Sequence, residues 1–201
     1  VSLEKDGKRL VVDPGLMTGE PEALSDIDCV LVTHEHFDHF EPHRLRAALA
    51  DNQDLVVYTC PGVAKHLRDV WDRVEVVQDD DAFTVSGFAV SVIGRKHHAS
   101  HPDAPPVDNI GFLVDSEVFH PGDALTIVDA PTLLAPCQAP WLTVPDLVAY
   151  LRTAQPRRAY AVRDGLMNVW GLRVIDDVLR REAERTGRGI RRLLPGEAVN
   201  L

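Results

Sequence analysis

Three histidines and one aspartate fall within six residues, directly after the apolar run at residues 29–32. They are His34, His36, Asp38 and His39, and imidazole and carboxylate are ligands that divalent metals, zinc first among them, prefer in proteins. Where a strand ends, residues two apart point the same way, so His34 and His36 can reach one metal ion. If the chain then turns into a helix, Asp38 and His39 face a second direction and can serve a neighbouring ion. A solvated loop rich in histidine is the alternative, but this spacing after a predicted strand favours metal binding.

A second group of histidines follows another predicted strand, which begins at Phe88. Its members are His97, His98 and His101, and each is a candidate for the third imidazole of the same site. His101 precedes a proline and lies furthest from the strand, so we expect it to contact substrate or only solvent.

Two aspartates lie in turns at the ends of other predicted strands. Asp123 follows Pro121-Gly122, where a carboxylate is a poor core residue and a good metal ligand, and Gly122 lets the backbone approach another group closely. Asp13 begins a Pro-Gly turn. On the residues alone, its expected role is to cap that turn.

The elements that must position these groups alternate between strands and helices. Asp6-Gly7 predicts a hairpin turn between two N-terminal strands, and Gly87 predicts another. Parallel strands joined by helices, mixed with antiparallel hairpins, favour a layered α/β protein over a doubly wound nucleotide-binding fold. Periodicity and end signals predict four helices and a last strand: Glu41 to about Ala50, a helix carrying Val63, Leu67 and Val70, Pro145 to Thr153, Val174 to Glu184, and a strand with Ile190, Leu193 and Leu194.

The composition bounds domain number and partners. A chain of 201 residues with 45% hydrophobic content can bury an ordinary core, most simply as one domain over residues 1–201. The chain begins within a predicted strand, which is compatible with a truncated N-terminal strand. Its net charge of −10 repels phosphate backbones, and no apolar run could cross a bilayer, so we expect neither nucleic acid nor membrane as a partner. A small-molecule substrate is the expected partner, and a homo-oligomer is compatible with the sequence.

The cysteines indicate a compartment. Cys29, Cys60 and Cys137 form an odd, widely spaced set, and the N-terminus has no apolar signal core. These features favour reduced core thiols in a cytoplasmic protein over a disulfide framework.

The spacing His34-x-His36-x-Asp38-His39 resembles the HxHxDH signature of the metallo-β-lactamase superfamily. Further short motifs occur in the order expected for its L-ascorbate-6-phosphate lactonase-like group and span nearly the whole chain. This resemblance implies an α/β fold of the αββα sandwich type, in which two mixed sheets are flanked by helices and metals lie at strand ends. The further motifs are Asp13-Pro14-Gly15, the loop at His97, His120-Pro121-Gly122-Asp123, Ala139-Pro140-Trp141 and Pro195-Gly196-Glu197.

The resemblance also implies a first set of metal ligands. His34, His36 and a third histidine would hold the first ion, and the position at the strand exit favours His97 over His98. Asp13 would lie beneath the metal loop and orient its histidines. The implied cofactor is a divalent metal, one or two ions per chain, with zinc expected first and manganese as an alternative.

The resemblance assigns a second ion to Asp38, His39 and a last histidine, with Asp123 bridging the two ions. In this chain Arg163 replaces that last histidine, and Asp164 retains the aspartate that follows it, which we expect to orient a ligand. A guanidinium stays protonated and is no metal ligand. Three interpretations follow: Arg163 pairs with Asp38 or Asp123 and the second metal is weak or absent; Arg163 binds an anionic substrate; or catalysis is lost and the fold serves binding.

A centre of this kind predicts hydrolysis. A metal lowers the pKa of a bound water from near 16 towards about 7. Asp123 would orient the resulting hydroxide and accept its proton, and Asp38 is the second predicted catalytic carboxylate. Because arginine binds phosphate and carboxylate well, we expect Arg163 to contact a small, anionic ester, lactone or phosphoester. The alternative function is a catalytically impaired, metal-poor binding or regulatory protein on the same fold.

Overall fold

A five-stranded sheet forms the N-terminal part of the molecule. The computed structural model describes residues 1–19, 24–99 and 101–201. The first two strands form the predicted hairpin about Asp6-Gly7, both of which have positive φ, and the remaining neighbours pair in parallel. In spatial order the strands are β1 (Ser2–Lys5), β2 (Lys8–Val12), β3 (Cys29–Val32), β4 (Val56–Thr59) and β5 (Val74–Val76).

A seven-stranded sheet forms the rest of the strand structure. Its N-terminal strands pair antiparallel and include the predicted hairpin about Gly87, whereas its last four strands pair in parallel. The spatial order follows the chain from one edge to the other. The strands are β6 (Ala82–Val85), β7 (Phe88–Ile93), β8 (Gly111–Val114), β9 (Val118–His120), β10 (Thr132–Pro136), β11 (Arg158–Val162) and β12 (Gly189–Arg192).

Four α-helices accompany the sheets in the described residues. Glu41 caps the first helix through its carboxylate, Thr143 caps the third in a capping box, and Asn168 caps the fourth. The helices are α1 (Pro42–Asp51), α2 (Pro61–Ala64), α3 (Val144–Ala154) and α4 (Val169–Thr186), and a 3₁₀ segment spans Arg68–Arg73.

Two apolar cores hold the layers together. One core joins the facing sides of both sheets and helix α1; it includes Val30 and Val57 of the first sheet and Val90 and Phe112 of the second. The other core lies between the second sheet and helices α3 and α4. Two mixed sheets flanked by helices therefore form the molecule, and the predicted αββα arrangement is confirmed.

Several predicted element bounds were wrong. The predicted helix with Val63, Leu67 and Val70 is two short segments, and Val70 has non-helical φ and ψ angles. Helix α4 begins five residues before the predicted start because Asn168 supplies the N-cap there. The last strand ends at Arg192, and Leu194, predicted to belong to it, is 62% exposed.

The parallel strands bring the ligand-rich segments to one edge. The carboxyl ends of β2 and β3 in the first sheet, and of β9 and β11 in the second, lead directly into the segments that contain Asp13, His34, Asp123 and Arg163. Carboxyl ends of parallel strands are where such folds bind ligands. Within the described ranges, no helix combines the length and apolar character needed to span a bilayer.

Candidate metal centre

Three separate chain segments bring four ligand side chains together. His34 and His36 follow β3, His97 follows β7, and Asp123 follows β9. One ligand atom of each lies within 4.8 Å of the others. Ligand atoms bound to one zinc ion at 2.0–2.3 Å lie about 3.4 Å apart, so small side-chain adjustments would bring the four atoms around one ion, which can become five-coordinate to take a water. The structure therefore brings His34, His36 and His97 of the predicted first set together with Asp123, and His98 is not in this group. That they bind a metal stays a prediction.

The metal loop rests on the turn that begins with Asp13. Leu16 donates its backbone N–H to the carbonyl of Phe37 at 2.8 Å. A Cβ atom on Gly15 would lie 2.0 Å from the carbonyl oxygen of Asp38, so only glycine permits this approach. The loop conformation is therefore tied to the preceding turn as well as to its own residues.

The carboxylate of Asp13 orients two histidines. It accepts the backbone N–H and the hydroxyl of Thr33, each at 2.7 Å, and its Oδ2 lies 2.6 Å from Nδ1 of His39. Because the Thr33 hydroxyl gives its proton to Asp13, it accepts from Nδ1–H of His34 at 3.0 Å. Both histidines therefore carry their proton on Nδ1 and leave Nε2 bare, as metal ligands require. The predicted orienting role of Asp13 agrees with this geometry.

Asn109 holds the turn that presents Asp123. Its side-chain oxygen accepts the backbone N–H of Asp123 at 2.8 Å, and its amide donates to the carbonyl of Pro121 at 2.9 Å. Gly122 has φ +61°, and a Cβ there would lie 2.3 Å from the Asn109 oxygen. His120 accepts the N–H of Gly122, and burial lowers the pKa of His120 to about 4. The side chain of Asp123 is consequently placed by a rigid, buried support.

The two carboxylate oxygens of Asp123 have different surroundings. Trp141 donates its indole N–H to Oδ2 at 3.1 Å, and Arg163 Nη2 lies 3.0 Å from the same oxygen. Oδ1 is buried and has no hydrogen-bond partner among the described residues, although the bare Nε2 of His39 lies 3.2 Å away. A buried carboxylate oxygen without a donor is costly, and a cation is the partner that satisfies it.

His97 gives a second sign that a cation belongs here. Its Nδ1 faces the backbone carbonyl of His98, which accepts only, so Nδ1 carries the proton in the neutral ring. Nε2 of His97 then turns a lone pair towards Asp123 Oδ2 at 2.9 Å. Two electron-pair donors at that distance need a proton or a metal ion between or beside them. The residues present therefore fit one divalent ion.

The guanidinium of Arg163 lies where the second ion would be expected. Its Nη2 lies 2.8 Å from Asp38 Oδ2 and 3.0 Å from Asp123 Oδ2, and its Nε–H donates to His39 Nε2 at 3.0 Å. Nη1 donates to the carbonyl of Gln138 at 3.1 Å. The three side chains that the sequence assigned to a second ion are thus engaged by one arginine, and this arrangement does not fit a second metal.

Burial and charge set the protonation of the centre. Burial would raise the pKa of Asp123, but the imidazoles of His39, His97 and His34 around its carboxylate hold the pKa well below its usual range. Burial would also raise the pKa of Asp13, and the imidazole of His39 again lowers it. Burial lowers the pKa of His34 and of His36, which favours the neutral rings that bind metal.

Burial and the neighbouring charges act in opposite directions on His39. Although burial favours the neutral ring, Asp13 and Asp123 outweigh it and raise the pKa of His39 to about 9, which would place a proton on Nε2. The Nε–H of Arg163 points at that same atom at 3.0 Å. We assign the neutral ring, because the guanidinium is permanently protonated and its N–H needs an acceptor.

An open cleft of about 200 Å³ leads to the centre. Its accessible walls are mainly apolar, and Phe37 and Leu166 at its rim are 54% and 50% exposed. His98 stacks on Trp141 with ring centroids 4.7 Å apart, outside the group of four ligands. The lining residues are His36, Phe37, Asp38, His97, Asp123, Pro140, Trp141, Arg163 and Leu166.

Two predicted site residues lie elsewhere. The predicted substrate contact His101 has a side chain that is 67% exposed; it accepts the backbone N–H of Asp103 and does not line the cleft. Asp164 was expected to orient a ligand, but its carboxylate pairs with Arg192 of strand β12 at 3.2 Å. Neighbouring residues at a strand end can point to opposite sides. Asp164 follows Arg163 in sequence but turns towards Arg192 of the neighbouring strand.

Sequence reasoning missed three supporting residues. Thr33, Asn109 and Trp141 hydrogen-bond His34 or Asp123, yet none of these residue types is a typical metal ligand. Trp141 belonged to a recognised motif without an assigned role. The role of Thr33 could have been predicted locally, because it directly precedes the first histidine at a strand end. The role of Asn109 could not, because distant segments must pair to bring it to Asp123.

Comparisons with known proteins agree with this fold. The family described as "Beta-lactamase superfamily domain" matches residues 1–159. The chain is 33% identical to Protein Rv0786c of Mycobacterium tuberculosis over 166 residues, which are 79% of this chain and 77% of the relative. It is 26% identical to the UPF0173 metal-dependent hydrolase PYRAB05000 of Pyrococcus abyssi over 132 residues, 61% of this chain and 57% of the relative.

A solved structure extends the comparison over the whole chain. Igni18, a metallo hydrolase from the archaeon Ignicoccus hospitalis, superposes with a TM-score of 0.74 at 16% identity. The match covers 98% of this chain and 92% of the other. At that identity the superposition shows the fold.

Proposed function

Because this chain belongs to the β-lactamase superfamily, we propose that it is a metal-dependent hydrolase that cleaves a small ester or lactone. The metal-dependent hydrolase of Pyrococcus abyssi, which is similar in sequence, supports the reaction class. The site residues support it independently, since they combine a metal-ligand set with an accessible cleft. Zinc is the proposed ion, because three imidazoles and one carboxylate form a ligand set that zinc accepts readily.

One observation carries the proposal. Asp123 has a buried carboxylate oxygen without a donor, and His97 turns a lone pair towards the same carboxylate. One metal ion would satisfy both groups at the point where His34 and His36 also converge. A binding protein without metal would have no reason to keep these acceptors buried together.

The residues around the centre divide the work of the reaction. A divalent ion held by His34, His36, His97 and Asp123 would supply a Lewis acid and would make hydroxide available near neutral pH. Asp123 would help to hold the ion and orient the attacking group, while the indole N–H of Trp141 keeps the carboxylate in place. Asp13 and Thr33 keep the ligand nitrogen of His34 unprotonated. Asp38 does not face substrate alone, since Arg163 pairs with it at 2.8 Å.

The cleft favours a substrate with an apolar part. The expectation of an anionic substrate depended on a free charge on Arg163, but all three guanidinium nitrogens contact protein groups, and two carboxylates offset the charge. Phe37, Pro140, Trp141 and Leu166 offer apolar surface beside the ligands. We therefore propose a neutral ester or lactone whose apolar acyl or alcohol group lies against these side chains.

All three cysteines are buried free thiols, which supports the expected cytoplasmic location.

Hydrolysis assays with a matched pair of histidine variants test this proposal. Zinc-loaded protein should hydrolyse p-nitrophenyl butyrate or an alkyl-substituted γ-lactone, and should do so faster than bis-p-nitrophenyl phosphate. Removing zinc with a chelator should abolish the activity, and zinc should restore it. His97→Ala should lose at least about 100-fold in kcat/KM, whereas His98→Ala should stay within a few-fold. Stoichiometric zinc without turnover of any of these compounds would favour the binding-protein alternative.

A further inference from the structure

Every nitrogen of the Arg163 guanidinium contacts a protein group of the centre. Its side chain is 11% exposed, and its three nitrogens contact Asp38, Asp123, His39 and the carbonyl of Gln138. An exposed surface ion pair contributes little and breaks readily, but a guanidinium buried between two carboxylates does not leave for solvent without exposing or stranding both. The alternative in which Arg163 swings out is therefore disfavoured by its own contacts.

The backbone at Arg163 is adapted to this position. Its φ is +68°, in the left-handed region that a residue with a side chain rarely adopts. The residue directly follows strand β11, so this conformation turns the chain away from the strand direction where the side chain enters the centre. A strained residue at such a point persists when the surrounding contacts compensate, and the contacts of the guanidinium are what compensates here.

One divalent ion would neutralise the net charge of the centre. Asp13, Asp38 and Asp123 each carry one negative charge and Arg163 carries one positive charge. His39 is neutral because its Nε2 accepts the Nε–H of Arg163, so the centre sums to −2. One divalent ion brings the centre to neutrality. A second would leave an uncompensated charge of +2 beside a fixed guanidinium, in a buried site where charges are weakly screened.

We propose that the guanidinium of Arg163 replaces the second metal ion, so that the native protein binds one divalent metal per chain beside a permanent internal cation. This inference rests on the proposed first metal site and deepens it. Arg163 holds Asp38, His39 and Asp123 in the positions that a second ion would otherwise fix. Arg163 thus supplies the electrostatic effect of a second metal ion. Unlike a metal ion, it is part of the chain and cannot dissociate.

Metal stoichiometry tests the inference without any enzymatic assay. Purified protein is saturated with zinc, freed of excess by gel filtration, and analysed for zinc per chain. A titration with Co²⁺, followed by visible absorbance, reports the same number independently. Wild type should bind one ion in both measurements. Arg163→His should bind two, with the second dissociation constant at least tenfold lower than any second binding to wild type, because an imidazole replaces the cation and histidine tolerates positive φ.

Further variants keep the test decisive. Arg181→His changes an exposed arginine of helix α4 and should bind one ion, as wild type does. Arg163→Lys keeps the charge and should also bind one ion, so it serves if Arg163→His fails to fold. Two tightly bound ions in wild type, or one ion in a folded Arg163→His, overturn the inference.

The inference and the proposed function fail in different ways. Two ions in an active wild type contradict only the inference. One ion in wild type and two in Arg163→His, without any hydrolysis, support the inference and contradict the function. Wild type without bound zinc overturns both.

Discussion

A single carboxylate controls two of the histidines at the centre. Asp13 accepts from Thr33 and from Nδ1 of His39, and the Thr33 hydroxyl passes the same constraint on to His34. Each hydrogen bond in this network is donated towards Asp13, because a carboxylate can only accept. One residue, 20 positions before Thr33 in sequence, therefore decides which nitrogens are available to a metal.

Asp13→Asn tests this control. The amide retains one acceptor and adds donors that face Thr33 and His39, so buried groups lose their partners. The free energy of unfolding should fall by about 2–4 kcal/mol, measured by urea denaturation of the metal-free protein. Zinc affinity, measured by competition with a chromophoric chelator, should fall about 10-fold or more. Asp54→Asn, at an exposed position, is the control and should change stability by less than about 0.5 kcal/mol. Unchanged zinc affinity in Asp13→Asn would refute the orienting role.

Single residues were predictable where their type is diagnostic. His34, His36, His97 and Asp123 are ligand types at strand exits, and the structure brings these four together. The engagement of Arg163 with carboxylates was one of three interpretations, because the sequence does not show which neighbours a long, flexible side chain meets. Supporting residues such as Asn109 escaped, since their role depends on contacts between segments far apart in the chain.

Among the elements, the turn beneath the metal loop is the least tolerant of change. A Cβ on Gly15 would lie 2.0 Å from the backbone oxygen of Asp38, and backbone cannot move aside as a flexible side chain can. Gly15→Ala should therefore lower the free energy of unfolding by roughly 2–3 kcal/mol and weaken zinc binding, because the loop must shift. Gly19→Ala is the matched control, since a Cβ there meets nothing within 4 Å. Thermal denaturation and zinc competition measure both effects, and equal behaviour of the two variants would contradict this packing.

Helices α3 and α4 are joined by a buried acid. Glu182 of α4 pairs with Arg152 of α3 at 2.6 Å and with Arg185 at 2.9 Å. The hydrogen bonds from Arg152 lower the pKa of Glu182 to about 2 from the ordinary value of 4.5. A carboxylate with a lowered pKa stabilises the fold above the ordinary value, and this contribution is lost as pH falls towards about 2.

Glu182→Gln should expose that dependence. At pH 7 the variant should be less stable by about 1–2 kcal/mol, a figure kept small because both arginine side chains are about half exposed to solvent. The difference from wild type should shrink between about pH 4.5 and pH 2, as followed by urea denaturation at several pH values. Glu184→Gln, an exposed acid in the same helix, should show little difference at any pH. A pH-independent difference would show that packing, not charge, explains the loss.

Element type was more predictable than element ends. The hairpins about Gly7 and Gly87 followed from local turn residues and were confirmed. The segment with Val63 and Val70 has helical spacing, yet it is two short helical pieces in the structure. The start of α4 was missed because its first turn exposes Val169 and Trp170, so the apolar periodicity begins only later in the helix.

At the scale of the whole molecule, metal binding should be coupled to folding. The ligands come from strands of both sheets, so unfolding either sheet destroys the centre. Free zinc at about 1,000 times its dissociation constant should add about 4 kcal/mol to the free energy of unfolding, which raises Tm by roughly 10 °C for a chain of this length. Differential scanning calorimetry measures the shift.

The matched control uses two histidines outside the centre. His34→Ala with His36→Ala should abolish the zinc-dependent shift. His43→Ala with His101→Ala removes the same number of imidazoles from exposed positions and should leave the shift unchanged. A shift that persists in the first double variant would place the metal elsewhere.

The overall architecture was predicted from the HxHxDH motif and from the order of the further motifs along the chain. Alternating strands and helices indicated a layered α/β protein, and the HxHxDH spacing with its following motifs indicated the αββα sandwich that the structure shows. Apolar periodicity alone could not give the order of strands in two sheets, because many orders bury the same residues. The proposed polarity and size of the substrate come from the cleft, whose apolar side chains are brought together only in the folded chain.

The position and number of bound metal ions are the properties of this protein that most need to be measured. An anomalous difference map, collected above the zinc absorption edge from crystals of zinc-saturated wild type, measures both at once. We predict one strong peak, bounded by His34, His36, His97 and Asp123, with the guanidinium of Arg163 still beside Asp38. Two peaks of similar height, or a peak away from these four side chains, would contradict the account.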